Sequence, residues 1–140
     1  FLSILKIMRT IKKAALAVFK DSKILLVRSS RKDEIFYTLG GKIKEGESDL
    51  DCLKREVFEE VGCRIDEDSI HFLNEFLGPA HGSGNSLLNI RLYEGKLIGE
   101  PKVSSEVFEM GYFDSSDKNH LSEIAQNQIF PWLKKQGYIN

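Results

Sequence analysis

Three glutamates, Glu56, Glu59 and Glu60, stand at i, i+3 and i+4 in the chain. On a helix that spacing brings side chains to one face. Like charges so placed cost roughly a few tenths of a kcal/mol each, and lysines mixed among them would remove the cost. Converging carboxylates offer the oxygen ligands that a hard divalent cation such as Mg²⁺ takes. A solvated acidic face has the same spacing, so these three residues alone leave both readings open.

The stretch around them specifies the helix that would position them. Gly40-Gly41 and Glu45-Gly46-Glu47 are turn signals. Ser48 is a natural N-cap, and Asp51 three residues on gives a capping-box pattern. Asp49 and Asp51 place negative charge where the helix dipole favours it. Gly62 stands where a left-handed glycine commonly closes a helix. A helix over 49–61 is therefore predicted, with Leu50, Leu53, Val57 and Val61 on its core side. Cys52 falls on the carboxylate side of this wheel, one turn before Glu56.

The run from Gly41 to Cys63, GKIKEGESDLDCLKREVFEEVGC, resembles the Nudix box, G-x5-E-x7-R-E-U-x-E-E-x-G-U, where U is a bulky aliphatic. Gly41, Glu47, Arg55, Glu56, Val57, Glu59, Glu60 and Gly62 fall in register. Cys63 replaces the last aliphatic as a small hydrophobe, and Leu39 stands before the glycine pair where the family often has proline. More weakly, the resemblance runs from Ile11 to Ile139, including the segment at 105–113. It implies an α/β fold, a Nudix-type α/β/α sandwich with a mixed sheet. It also implies hydrolysis of a nucleoside diphosphate linked to a further group. The metal ligands it implies are Glu56, Glu59, Glu60 and the carbonyl of Gly40, holding Mg²⁺ or Mn²⁺. Arg55 would orient this cluster by pairing with Glu47. Such an ion neutralises the diphosphate and activates water.

Chemistry at a diphosphate also calls for a base or further ligand near the attacking water. Glu106, at the start of the strand expected over Val107–Phe113, is the candidate. It resembles the acidic residue that several Nudix enzymes place there. Glu109, inside that strand, reads as an exposed carboxylate.

Length and composition suit one domain with a real core: 140 residues, 41% hydrophobic and 29% charged. Residues 1–10 read as an N-terminal extension and 11–140 as a single domain, with Met8 a candidate natural start. The apolar start, FLSILKIMRT, is too short and too interrupted by Lys6 and Arg9 to span a membrane. A net charge of −1 gives no electrostatic case for macromolecular nucleic acid or a membrane surface. Cys52 and Cys63 lie roughly 16 Å apart along a helix, too far for a disulfide. They read as free thiols in a reducing, cytoplasmic compartment.

Along the chain, Ala14–Phe19 and Ile24–Val27 read as strands joined by a polar turn, and Ile35–Leu39 as a strand feeding the glycines. Ile70–Leu77 and Ser86–Tyr93 follow as strands around a loop holding His81, with Glu94-Gly95-Lys96 as a turn or bulge. Leu121–Lys135 reads as helical, kinked by Pro131, with Phe130, Trp132 and Leu133 in the core. This hairpin-rich order excludes a purely parallel doubly wound sheet.

Substrate choice lies outside the box. A compact chain favours a small nucleotide, a normal or oxidised nucleoside triphosphate giving the monophosphate and pyrophosphate. Arg28 is the candidate phosphate contact, and Gln126 and Asn127 are candidates for reading a base edge. Competing expectations are a nucleotide-sugar, ADP-ribose or dinucleotide pyrophosphatase, and a domain that senses nucleotide without cleaving it. The intact acidic set argues against the sensor. Either a monomer or a homodimer fits.

Overall fold

The computed structural model describes residues 9–80 and 85–140; the Met8 start and His81 lie outside them. Seven strands form one mixed sheet: β1 (Thr10–Ala17), β2 (Phe19–Lys20), β3 (Lys23–Arg28), β4 (Tyr37–Lys42), β5 (Arg64–Pro79), β6 (Leu87–Ile98) and β7 (Glu109–Phe113). The order is β2-β3-β4-β1-β6-β5, with β7 on β3. Among the described strands only β1 and β6 pair in parallel.

Alternation along β1 divides the core. Ala14, Leu16 and Val18 join Leu25, Leu39, Leu53, Val57 and Val61 beneath the helix α1 (Asp49–Val61). Ala15 and Ala17 face the other way, among Leu26, Leu92, Ile129, Phe130 and Leu133 under the C-terminal helical segment. Helix on sheet on helix follows from this period of two on a central strand.

Helix α1 has the bounds read from the sequence. The Ser48 Oγ accepts from the Asp51 N–H, and Gly62 closes the helix at φ 70°. One position on its inner face differs: Leu50 is 37% exposed and Cys52 is fully buried. The smaller thiol fits under the Gly41–Lys42 backbone, with Sγ 3.4 Å from the Gly41 carbonyl oxygen, so the seam rotates toward the carboxylate side.

Strand boundaries also depart from the expectations: β1 and β5 start earlier, at Thr10 and Arg64, and β4 runs on to Lys42. The turn at Glu94-Gly95-Lys96 does not form; β6 runs on to Ile98 because β5 is long enough to pair with it throughout. The irregularity falls in β5 instead, between Asp66 and His71, where the Ser69 Oγ accepts from the Lys96 N–H at 2.8 Å. Strand β7 begins at Glu109, since Val107 closes a turn onto the Ser104 carbonyl.

The last helix is broken in a specific manner. A π-helical turn spans Ala125–Ile129, then α2 (Phe130–Lys135) continues with Pro131 in its first turn. The Phe130 N–H reaches back five residues to the Ala125 carbonyl. This wider turn accommodates a residue that has no N–H and a ring that crowds the preceding carbonyl. Phe130 and Leu133 are buried, and Trp132 sits at the margin against Phe76 and Tyr138.

Candidate active site

The end of strand β4 carries the site's backbone: Gly40 and Gly41 are paired with Ala15 and Ala14 in the sheet, and the turn read at this glycine pair does not form. Gly40 has φ 126°, and a Cβ there would lie 2.1 Å from the Ala14 carbonyl oxygen. Only glycine fits this crossing beneath β1. At Gly41 a Cβ would come within 2.5 Å of the Glu56 carboxyl carbon. The glycine pair thus lets the Glu56 carboxylate lie directly against the strand backbone.

Arg55 gathers the acidic residues around it. Its Nε and Nη2 make a two-pronged pair with Glu47, at 2.8 and 2.9 Å. Nη1 lies 2.7 Å from Glu56 and 3.6 Å from Glu59, and Nη2 also donates to the Lys42 carbonyl. The guanidinium holds the Glu47 carboxyl down to about 2, helped by the Lys44 backbone N–H.

Glu60 turns the other way, and its Oε1 accepts the Gly40 N–H at 2.9 Å. Burial, above all, pushes its carboxyl up to about 8; the Gly40 N–H opposes this, and Glu56 and Glu59 add to it. Lys13 also opposes the shift, but less than burial favours it. Among the described residues no three acidic, histidine or cysteine side chains enclose a cation position, because Arg55 holds Glu56 and draws Glu59 while Glu60 is held by backbone. The donor set, carboxylates flanking a glycine backbone, nevertheless suits a hard divalent cation.

A cavity of about 360 Å³ opens beside this cluster, within the range of small-ligand sites. Gly40, Gly41, Glu60 and Glu106 line it together, with Lys13 and Tyr37 opposite. Glu106 is brought there by Ser104, whose Oγ donates to the Glu59 carbonyl and accepts the Glu106 N–H at 3.2 Å. Glu109 instead pairs with Arg28 at 2.7 Å, outside the cavity wall.

The three residues expected to touch substrate are elsewhere. Arg28 stacks on Phe108 and Phe36 and does not line the cavity. Gln126 donates to the Leu121 carbonyl at 2.9 Å and borders a separate pocket with Lys118 and Lys134. Asn127 points into neither wall. The cavity wall uses Ser122, Ile124 and Ala125 of that segment instead.

Several residues escape a reading of the motif. Asp49, read as a dipole partner, also accepts from the Tyr93 hydroxyl and from Arg91 Nε at 2.7 Å, tying the start of α1 to β6. Lys13 and Tyr37 carry no motif; the only hint is a lysine pair, Lys12-Lys13, leading an otherwise apolar strand. Burial pushes the Tyr37 hydroxyl up to about 12, with Asp33 adding to the shift.

The profile of the NUDIX domain matches residues 10–133. The chain belongs to the NUDIX family. Among curated relatives, this NUDIX chain is similar to mRNA-decapping enzyme subunit 2 of Saccharomyces cerevisiae (strain YJM789), 28% identical across 88% of the chain. The chain spans 14% of that protein's length. Among solved structures, a UDP-X diphosphatase superposes with a TM-score of 0.75 at 23% identity, covering 98% of this chain and 70% of that one. The MutT protein of Methanosarcina mazei Go1 gives 0.72 at 16% identity, covering 93% and 96%. At such identities these structures speak for the NUDIX fold alone.

Cys52 supplies a test of how tightly the site is packed from below. Its thiol is pushed up to about 11, first by burial and then by Glu47, so it is neutral at physiological pH. Cys52→Ala is expected to be nearly silent. Cys52→Asp, which sets an unpaired charge against the Gly41 and Lys42 carbonyls, should lower both kcat and Tm. Full activity in the aspartate variant would show that the site tolerates bulk and charge at this position.

Proposed function

We propose that the protein is a hydrolase of the diphosphate linkage in a nucleoside diphosphate derivative, dependent on Mg²⁺ or Mn²⁺. The substrate favoured is a small nucleotide, a normal or oxidised nucleoside triphosphate, cleaved to the monophosphate and pyrophosphate. The observation that carries this reading is one cavity whose wall combines Gly40, Gly41, Glu60 and Glu106 beside the Arg55 cluster. Glu56, Glu59, Glu60 and the Gly40 carbonyl would hold the cation. The chemistry supplied by a bound divalent cation is neutralisation of phosphate charge and activation of water.

The chain's own residues have separable parts in this. Glu47 fixes Arg55, and Arg55 fixes Glu56 and Glu59 by charge-assisted bonds. Gly40 orients Glu60 through its N–H. Glu106 stands on the cavity wall to accept a proton from the attacking water, held by its turn onto Ser104. Apolar side chains such as Phe36, Ile90 and Phe130 line the same cavity and exclude bulk water from one side.

Two buried, free cysteines support a reducing, cytoplasmic setting. Among the described residues no helix is long and apolar enough to cross a membrane.

The experiment is a substrate panel with Mg²⁺, comparing kcat/KM for nucleoside triphosphates, nucleotide sugars, ADP-ribose and dinucleotides. The yeast relative's name adds a capped RNA to it. Preference for a triphosphate is expected. A higher kcat/KM for a nucleotide sugar or a capped end would transfer the assignment to that class, and binding without turnover would make the domain a sensor.

A further inference from the structure

The cavity continues past Lys13 into a recess of about 120 Å³ bordered by Lys13, Lys42, Tyr37 and Ser122. Lys13, Tyr37 and Ser122 belong to both walls, so recess and cavity are one groove. Glu60 and Glu106 line its broad part, Lys42 its narrow part, and Lys13 stands between the two.

We propose that this narrow end is a specificity subsite for a terminal phosphate of the substrate, with Lys13 as the residue that reads it. The proposal rests on the nucleotide reading given above and narrows it to nucleoside polyphosphates.

Lys13 and Lys42 stand directly opposite each other in the antiparallel pairing of β1 with β4. Side chains so paired share one face of the sheet, with Cβ atoms roughly 5 Å apart, and like charges there are destabilising. Lys13 is half-buried. Burial first, and Lys42 next, push its ammonium below the ordinary lysine value, while Glu56 and Glu60 act in the opposite sense. Among the described residues neither lysine forms an ion pair; the Lys13 ammonium rests 5.8 Å above the Tyr37 ring.

Ser122 is the only buried polar residue among those described, and it borders the same recess. Two cations and a serine therefore converge on a space to which the protein brings no carboxylate of its own. An anion placed there relieves the lysine repulsion and gains charge-assisted hydrogen bonds. Because no carboxylate borders the recess, the group it takes is not the linkage held at the carboxylates. A terminal phosphate fits that description. The neutral sugar of a nucleotide sugar gains nothing from two ammonium groups.

The test needs no knowledge of the base. Calorimetric affinities for inorganic tripolyphosphate and pyrophosphate are measured at fixed Mg²⁺ for the wild type, Lys13→Gln, Lys13→Arg and Lys42→Gln. In Lys13→Gln the tripolyphosphate Kd should rise about 10-fold or more, the size of a lost charged hydrogen bond, and the pyrophosphate Kd about 2-fold or less. Lys13→Arg should restore most of the difference. Equal weakening of both anions, or no weakening, overturns the proposal. Should Lys13→Gln fail to fold, Lys42→Gln decides by the same ratio.

The kinetic counterpart is a KM effect in Lys13→Gln confined to nucleoside triphosphates, with kcat kept. If the wild type turns over no nucleotide at all, the hydrolase reading falls, and the anion ratio still decides the subsite.

Discussion

Glu60→Gln is expected to abolish turnover at every Mg²⁺ concentration and to leave the fold in place, and Glu59→Gln to do the same. Even changing a partner of a metal ligand commonly costs about 10–100-fold, so loss of a ligand should exceed roughly 10²-fold in kcat. Excess chelator should silence the wild type equally. The fold should survive because Glu60 contributes a surface of the groove and one bond to Gly40, which a glutamine oxygen also accepts.

The pH dependence of stability gives an independent check in chelator. The Glu60 carboxyl is raised to about 8 in the folded chain, so the folded state holds a proton that the unfolded chain releases near the ordinary glutamate value. Its contribution is full below that ordinary value and is lost as pH rises toward 8. Glu60→Gln should remove this decline, so its Tm should hold between pH 5 and 8, on the order of the window set by the two values. Substantial turnover in excess chelator, or wild-type kcat in both variants, would defeat the assignment.

The second large effect belongs to Glu106. Glu106→Gln should lower kcat at saturating Mg²⁺ by about 10²-fold, the size of a lost general base, and Glu109→Gln should leave kcat nearly unchanged. The two differ in placement. Glu106 is on the cavity wall and hangs from Ser104, itself fastened to the Glu59 carbonyl. Glu109 begins β7 and is engaged by Arg28. A loss at Glu109 without one at Glu106 would reverse the roles.

What could be read from the sequence was whatever short-range chemistry writes. The N-cap at Ser48, the glycine stop at Gly62 and the Glu47–Arg55 pair are all set by residues within two or three turns of each other, and each stands as expected. The mixed sheet follows from strand order together with the family resemblance. Illegible features depend on distant neighbours. Leu50 and Cys52 exchanged places because backbone from Gly41 and Lys42 lies over the helix. Lys13 entered the groove because β1 is central and β4 sets Lys42 opposite it. Gln126 is drawn back to the Leu121 carbonyl, and neither it nor Asn127 lines the groove.

That wide turn at Ala125–Ile129 bears on how the chain tolerates changes in length. A π turn holds one residue more than the α turn it replaces. Removing a single residue there would close the wide turn to an α turn and leave the residues beyond it facing much as they do now. Phe130 and Leu133, now fully enclosed, would stay on the sheet, and Pro131 would meet a regular helix that it cannot join. A one-residue deletion within 125–129 should therefore cost stability at Pro131, whereas one in a regular helix turns every later side chain by roughly 100°. The same deletion in the exposed turn at Gly99-Glu100 shifts no helical face.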